Sequence, residues 1–300
     1  MSLFQFIDQQ RIHYPVRLLC QVLEVVSSRY YAWRSGQAAG AVAKPVPAWE
    51  KPLVRLFGHH KRRYGTRRLQ VALREEGHRV GRQALRTALH RNGCKALQPK
   101  AFVPRTTDST HGRRCAPNLL LDQPRPTQPN RVWVSDITYL PLADGTWAYL
   151  CAFQDAGTRH IVGWQVRADM SEALVTSALQ RALRAQQPAP GLIVHSDRGG
   201  QYVANAYKAL LHTAQAQLSH SRRGECYDNA QAESLWSRLK TEELEAREWP
   251  VFADLADAQA SVAAYFDYYN HERHHSSIGY QKPYQFHQQQ LNNITQLSLA

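Results

Sequence analysis

Val132-Trp-Val-Ser-Asp-Ile-Thr-Tyr-Leu140 is a β-branched and aromatic run with one acid, Asp136, in its middle. Side chains of this kind fit a pleated, half-buried surface, so the run predicts a strand. An ionised carboxylate inside an apolar strand is costly to desolvate and needs a compensating partner, of which a divalent metal is the simplest. Two more runs follow, Trp147 to Gln154 and Arg159 to Val166, set off by the turn formers Asp144-Gly145 and Asp155-Ala-Gly157. Together the three predict an antiparallel meander. Beyond it, Ser171 caps a helix to about Gln186, Leu192 to Ser196 is a short buried strand, and Val203 to Thr213 is a helix. Gln217 to His220 makes a weak strand, and a last helix runs from about Ala230 to Arg247. Three strands, then strand and helix in alternation, predict an α/β domain over residues 130–250 with a mixed sheet and flanking helices.

Two further acids stand in this domain, Asp197 closing Leu192-Ile-Val-His-Ser-Asp197 and Glu233 within Asp228-Asn-Ala-Gln-Ala-Glu-Ser-Leu-Trp236. If the first strand lies beside the strand ending at Asp197 and the helix crosses their ends, Asp136, Asp197 and Glu233 converge. Carboxylate oxygens are the ligands of hard Mg²⁺ or Mn²⁺. Two such ions roughly 4 Å apart stabilise both the attacking and the leaving oxygen of a phosphoryl displacement. Without metal, three converging carboxylates raise each other's pKa. Glu233 and Lys240 are seven positions apart. At about 3.6 residues per turn they share a helix face with Asn229 and Trp236, while Leu235 and Leu239 point elsewhere. That face sets a lysine beside a metal-binding glutamate, where it can clamp a DNA phosphate.

The charge is concentrated upstream. The chain of 300 residues has a formal net charge of +13, and Lys61 to Arg114 holds 15 Lys or Arg against three acids. One segment thus carries nearly all the excess and predicts a polyanion-binding region. Helices are expected around Leu53 to Phe57, just ahead of it, and within it from Arg67 to Glu76 and from Arg82 to Arg91, the last capped by Gly93. Gly77-His-Arg-Val-Gly81 is a short turn of the kind that joins a helix-turn-helix, and the third helix would display Arg82, Gln83, Arg86 and Arg91 to DNA, with Arg67 and Arg68 on the second. The resulting organisation is an N-terminal helical segment over 1–35 with two short helices, a linker over 36–52, and a helix-turn-helix-like region over 53–98. A basic, Pro-rich linker over 99–129, the α/β domain, and a C-terminal helix and tail over 251–300 complete it.

Five scattered cysteines without a Cys-x-x-Cys pair argue against a disulfide framework or zinc ribbon. No apolar run reaches the roughly 18 residues of a membrane span, and Met1 to Gln10 lacks signal-peptide character, so a soluble protein of the cytoplasm is expected. His59-His60 lacks a partner in sequence, and His271, His274 and His275 lack an accompanying cysteine pair, which leaves them as DNA contacts or a solvated helix end. Leu255, Val262, Phe266 and Tyr269 form one stripe, a core or self-association face. The seven tryptophans are expected mostly in the core. No Gly-x-x-x-x-Gly-Lys is present, which argues against nucleotide-driven chemistry.

Asp136, Asp197 and Glu233, with 35 residues between the last two, resemble the catalytic triad of the retroviral-integrase-like (DDE) transposases. The words around them are similar to those of the downstream-frame (OrfB) product of the IS-three family of bacterial insertion sequences. They are Trp133-Val-Ser-Asp-Ile-Thr-Tyr139, His195-Ser-Asp-Arg-Gly-Gly-Gln-Tyr202, Ser221-Arg-Arg-Gly-Glu-Cys-Tyr-Asp-Asn-Ala230, Glu233-Ser-Leu-Trp-Ser-Arg-Leu-Lys-Thr-Glu242 and Tyr269-Asn-His-Glu-Arg-His-His275. The similarity runs from the N-terminal helices to about Phe286. It implies an RNase H-like catalytic core preceded by a helix-turn-helix region, with the three acids as catalytic metal ligands for Mg²⁺ or Mn²⁺. It also implies Lys240 near the cleaved bond, and Arg198, Gly199, Gly200 and Gln201 as the turn shaping the pocket; many relatives have Ser in place of Gly200. The implied reaction is metal-dependent DNA strand cleavage followed by strand transfer of the freed 3′-hydroxyl. The implied partners are double-stranded DNA, further copies of the chain, and an upstream-frame (OrfA) product, separate or fused by frameshifting. Two other readings stay open on the residues alone: an RNase H-like nuclease without strand transfer, and a DNA-binding regulator without activity.

Overall fold

In the computed structural model, residues 2–38, 45–98, 115–222 and 225–299 are described. They fall in two compact units, Met1–Lys51 and Pro52–Ala300.

The described residues of the first unit form α1 (Leu3–Gln10), α2 (Val16–Val22) and α3 (Ser27–Ala38) and lead into a fourth helix. Ile7, Cys20 and Tyr30 are buried at its centre, with Phe4, Leu19 and Trp33 against them. The Tyr30 hydroxyl donates to Asp8 Oδ1 at 2.8 Å. Sequence periodicity gave two helices here. The third, α1, is started by a capping box: Gln5 N–H donates to Ser2 Oγ at 3.3 Å and Ser2 N–H to Gln5 Oε1 at 2.7 Å.

Next come α4 (Glu50–His59), α5 (Thr66–Glu75) and α6 (Arg82–Arg91), which but for Glu50 and Lys51 belong to the second unit. α4 begins ahead of Leu53 because Pro52 falls in its first turn, where a missing N–H has no helical acceptor to serve. Of the expected linker over 36–52, residues 39–44 lie outside the described residues, and 36–38 and 50–52 are helical. Gly93, at φ +64°, lets the chain leave α6 in the left-handed conformation, with Cys94 N–H returning to Leu89 O at 2.8 Å. Leu69, Leu73, Leu85 and Leu89 are buried between these helices.

The sheet follows as β1 (Val132–Pro141), β2 (Trp147–Asp155), β3 (Ile161–Arg167), β4 (Ile193–Ser196) and β5 (Gln217–His220), in spatial order β3-β2-β1-β4-β5. β1 to β3 form the antiparallel meander, while β4 runs parallel to β1 and β5 parallel to β4. Helices α7 (Glu172–Gln186) and α8 (Asn205–Thr213) cover one face through Trp133, Phe153, Leu174, Leu179, Tyr207 and Leu211. Gly163 on β3 lets α7 approach closely, since a Cβ there would stand 2.6 Å from the Ala182 backbone nitrogen. The other face packs Val132 and Val134 against Ala232 of α9 (Ala230–Leu239). This is the RNase H-like arrangement.

Several expectations change. Ser171 occupies the N-cap of α7 without a side-chain hydrogen bond to the helix. The last core helix does not run regularly to Arg247; after α9 it widens into a π-helical turn, Lys240–Leu244. Residues 99–114 of the expected linker lie outside the described residues, and the part from Cys115 to Leu121 is seated on β5. Ala116 N–H donates to His220 Nδ1 at 2.9 Å and Leu119 N–H to Ser219 Oγ at 2.9 Å. The C-terminal region is helical twice, as α10 (Leu255–His271) and α11 (Pro283–Leu299). On α10, Val262, Phe266 and Tyr269 are buried, so that stripe is core. Of the seven tryptophans, only Trp133 and Trp236 are buried, whereas Trp147 and Trp249 are 50% and 74% exposed. Among the described residues, no helix is long and apolar enough to cross a membrane.

Candidate active site

The parallel pairing of β1 with β4 sets Val134 opposite His195. Two steps further along each chain stand Asp136 and Asp197, the latter just past the end of β4. Strand alternation puts Asp136 on the face of Val132 and Val134, the face that α9 covers. From α9, the indole of Trp236 reaches across and donates to Asp136 Oδ2 at 3.0 Å. The Ile137 N–H donates to Oδ1 of the same carboxylate at 2.8 Å. Asn229, at the N-cap of α9, donates to Ser135 O at 3.4 Å. The helix is therefore tied to β1 at two points of one face, and Glu233 and Lys240 belong to that face.

The charges of neighbouring groups act on Asp136. Burial first, then the charge of Asp197, push the Asp136 carboxyl up to about 7, with Glu233 adding to the rise and the Ile137 and Trp236 donors opposing it. Burial draws the Lys240 ammonium below the usual lysine range, against the pull of Asp136. Asp136, Asp197, Glu233 and Lys240 thus share one electrostatic neighbourhood. Past Asp197 the chain folds back tightly. Gly199 N–H donates to Asp197 Oδ1 at 3.0 Å, and a Cβ on Gly199 would crowd that same oxygen at 3.1 Å. Arg198 Nε donates to Ser221 O at 2.8 Å, and Gln201 Nε2 to Met170 O at 2.9 Å, so the turn is fixed at both sides.

The π-helical turn that follows α9 has an interior cause. Glu242 is buried, and Arg273 donates to its two oxygens at 2.8 and 2.6 Å while the Tyr265 hydroxyl donates at 3.1 Å. Burial would push this carboxyl up, but Arg273 first and then Arg68 overcome it and hold Glu242 below the usual range. Arg63 reaches in from the segment before α5, donating to Glu242 O at 3.1 Å and pairing with Glu243 at 2.5 Å. Lys240 is the first residue of the turn so gripped.

The expected DNA contacts divide accordingly. Arg67, Arg82, Gln83 and Arg86 are exposed. Arg68 is a correction: its guanidinium points inward, donating to His274 O at 3.0 Å and lying 3.7 Å from Glu242 Oε1. A buried acid draws long cations inward even where one already pairs with it, which helix periodicity alone does not reveal. The histidines after α10 change too. His274 is buried, with Nε2 2.9 Å from Glu75 Oε1 and its N–H donating to the Tyr64 hydroxyl at 2.7 Å, so it is no solvated helix end. Trp236 was placed on the Glu233 face by periodicity without a role; the stripe Glu233, Trp236, Lys240 was the signal for one. The α5–α6 turn lines a cleft with Gln70, Arg74, His78 and Arg79.

Two models described as integrase core domain match residues 126–226 and 214–283. A 31 kDa protein of insertion element IS600 from Shigella sonnei is 38% identical, over 89% of this chain and 97% of that one. The transposase InsF of insertion sequence IS3A from Escherichia coli K12 is 32% identical, over 96% of this chain and 99% of that one. The catalytic core of BIV integrase superposes on 55% of this chain and 99% of its own, at 14% identity and a TM-score of 0.42. With whole-length similarity at these identities, the chain belongs to the IS3 family of insertion-sequence transposases.

Proposed function

We propose that the chain cuts and joins DNA at a site built from Asp136, Asp197 and Glu233, which hold Mg²⁺ or Mn²⁺, two ions in the working state. The observation that supports this is Asp136 with Asp197 and Glu233 acting on it, its carboxyl pushed up to about 7 by burial and by these two acids. A protein rarely gathers like charges in a half-buried place without a cation to relieve them. All the donors are carboxylate oxygens, which is the chemistry of a hard dication. Once bound, such ions supply charge neutralisation at the scissile phosphate and activate the attacking oxygen.

The chain's own residues do the rest. Trp236 and the Ile137 amide orient Asp136 from two sides. The Gly199 amide orients Asp197. Lys240, half-buried at the head of the gripped turn, offers a cation for a phosphate beside the acids. Arg67, Arg82, Gln83 and Arg86 serve α5 and α6 as a helix-turn-helix, with phosphate contacts fixing register and Gln83 and Arg86 available to base edges. The boundaries proposed for these parts are 53–98 for the DNA-binding helices and 130–250 for the catalytic core. The resulting reaction is strand cleavage at an element end and attack of the freed 3′-hydroxyl on a second phosphodiester, with several copies of the chain bridging two ends and with an upstream-frame (OrfA) product as partner or fusion. The place of action is the bacterial cytoplasm, at the nucleoid.

A strand-transfer assay with element-end DNA and Mn²⁺ tests this. The wild-type chain yields joined product, and Asp197→Asn reduces it to the level without protein. Joined product from Asp197→Asn would remove the acids from the reaction, and hydrolysed ends without joined product from the wild type would leave a nuclease.

A further inference from the structure

The pair His59-His60 takes no part in the site above, yet the fold gives it the partner that the sequence lacks. His59 is the last residue of α4, and Glu272 follows α10 at its C-cap. Their side chains meet across 213 positions, His59 Nε2 standing 2.8 Å from Glu272 Oε2. The ring of His60 lies beside that of His59, with centroids 4.9 Å apart. One nitrogen of each histidine and one oxygen of Glu272 lie within 4.8 Å of one another. We propose that His59, His60 and Glu272 form a binding site for a transition-metal dication, Zn²⁺ above all, separate from the three acids and joining α4 to the end of α10.

Four features support this. Two imidazoles and a carboxylate are a three-ligand zinc set that leaves a fourth position to water, and His59 and Glu272, 57% and 45% exposed, open that position to solvent. His60 is buried beside the exposed His59 and Glu272 pair, so a ligand nitrogen there is shielded from bulk water. The ring is also held: its face stacks on Tyr64 at 3.7 Å, and its Nδ1 is 3.1 Å from the Tyr268 hydroxyl, the kind of support that orients ligating histidines. Finally, the donor set selects the metal: imidazole nitrogens suit Zn²⁺, whereas Mg²⁺ takes oxygen ligands.

The experiment uses the full chain with Asp136→Asn, so that metal at the acids does not compete, freed of metal by chelation and then dialysed. Zinc content by mass spectrometry and the thermal midpoint are measured with Zn²⁺ and with Mg²⁺. One tightly bound Zn²⁺ per chain and a raised midpoint with Zn²⁺ but not Mg²⁺ are expected. His59→Ala and Glu272→Ala, each made singly at an exposed side chain, should each lower zinc affinity at least tenfold while keeping the wild-type circular dichroism. Absence of bound zinc, or zinc affinity in the two substituted chains equal to that of the parent chain, overturns the proposal.

Discussion

Replacing Trp236 by Phe removes one atom group of consequence, the indole N–H that donates to Asp136 Oδ2 at 3.0 Å. The aromatic body of this buried side chain is mostly kept. A hydrogen bond to an ionised group contributes about 1.5–3 kcal/mol, and loss of an outer-shell partner typically weakens metal binding about 10- to 100-fold, two magnitudes that agree. The sign is reinforced by protonation. The Trp236 donor holds the Asp136 carboxyl down against burial and Asp197, so its loss lets protons compete better with metal. In a strand-transfer assay titrated with Mn²⁺, the half-saturating concentration should rise about 10- to 100-fold, with the rate at saturating Mn²⁺ recovering most of its value. An unchanged Mn²⁺ midpoint would refute the orienting role, as would a rate that falls without any shift in midpoint.

Three further outcomes follow from other parts of the molecule. Arg273→Met leaves Glu242 buried without its main cation, and removing one member of a buried pair costs about 3–5 kcal/mol, readable as a lower denaturant midpoint; a loss under about 1 kcal/mol would mean that Arg68 suffices. His160 is buried and drawn by burial to about 3, so it stays neutral in the fold while the unfolded chain protonates below about 6.5. Its contribution is present above the unfolded value and is lost as pH falls toward 3, at up to about 1.4 kcal/mol per pH unit; denaturant midpoints at pH 7.5 and 5 should fall less for His160→Phe than for the wild type. Arg82→Ala with Arg86→Ala on the exposed face of α6 should weaken DNA binding and lower the salt slope of log K by about 0.9 per lost phosphate contact. An unaltered slope would move the DNA to another face.

The strands were legible because each carries its own signal: β-branched runs broken by turns such as Asp144-Gly145, where Gly145 sits at φ +83° and Thr146 bonds back to Asp144. The stripe Glu233, Trp236, Lys240 was legible because helix period alone places it. What stayed hidden depends on partners far along the chain. The π-helical turn at Lys240 and the inward course of Arg68 both answer to Glu242 and Arg273, which are 31 positions apart, and no local pattern announces a buried ion pair. α11 read as a tail because its Gln- and Asn-rich sequence lacks an apolar stripe, yet it buries His287 against Thr158 at 2.9 Å. His59-His60 read as partnerless for the same reason, Glu272 being remote in sequence. Trp147 and Trp249 show the converse error, apolar residue type without burial.

The central claim is that Asp136, Asp197 and Glu233 bind divalent metal together. Anomalous scattering from crystals of the chain soaked in Mn²⁺ tests it most directly. The account predicts manganese density in contact with carboxylate oxygens of all three residues, vanishing in Asp136→Asn. Manganese bound elsewhere, or bound without Glu233 and Asp197, would contradict it.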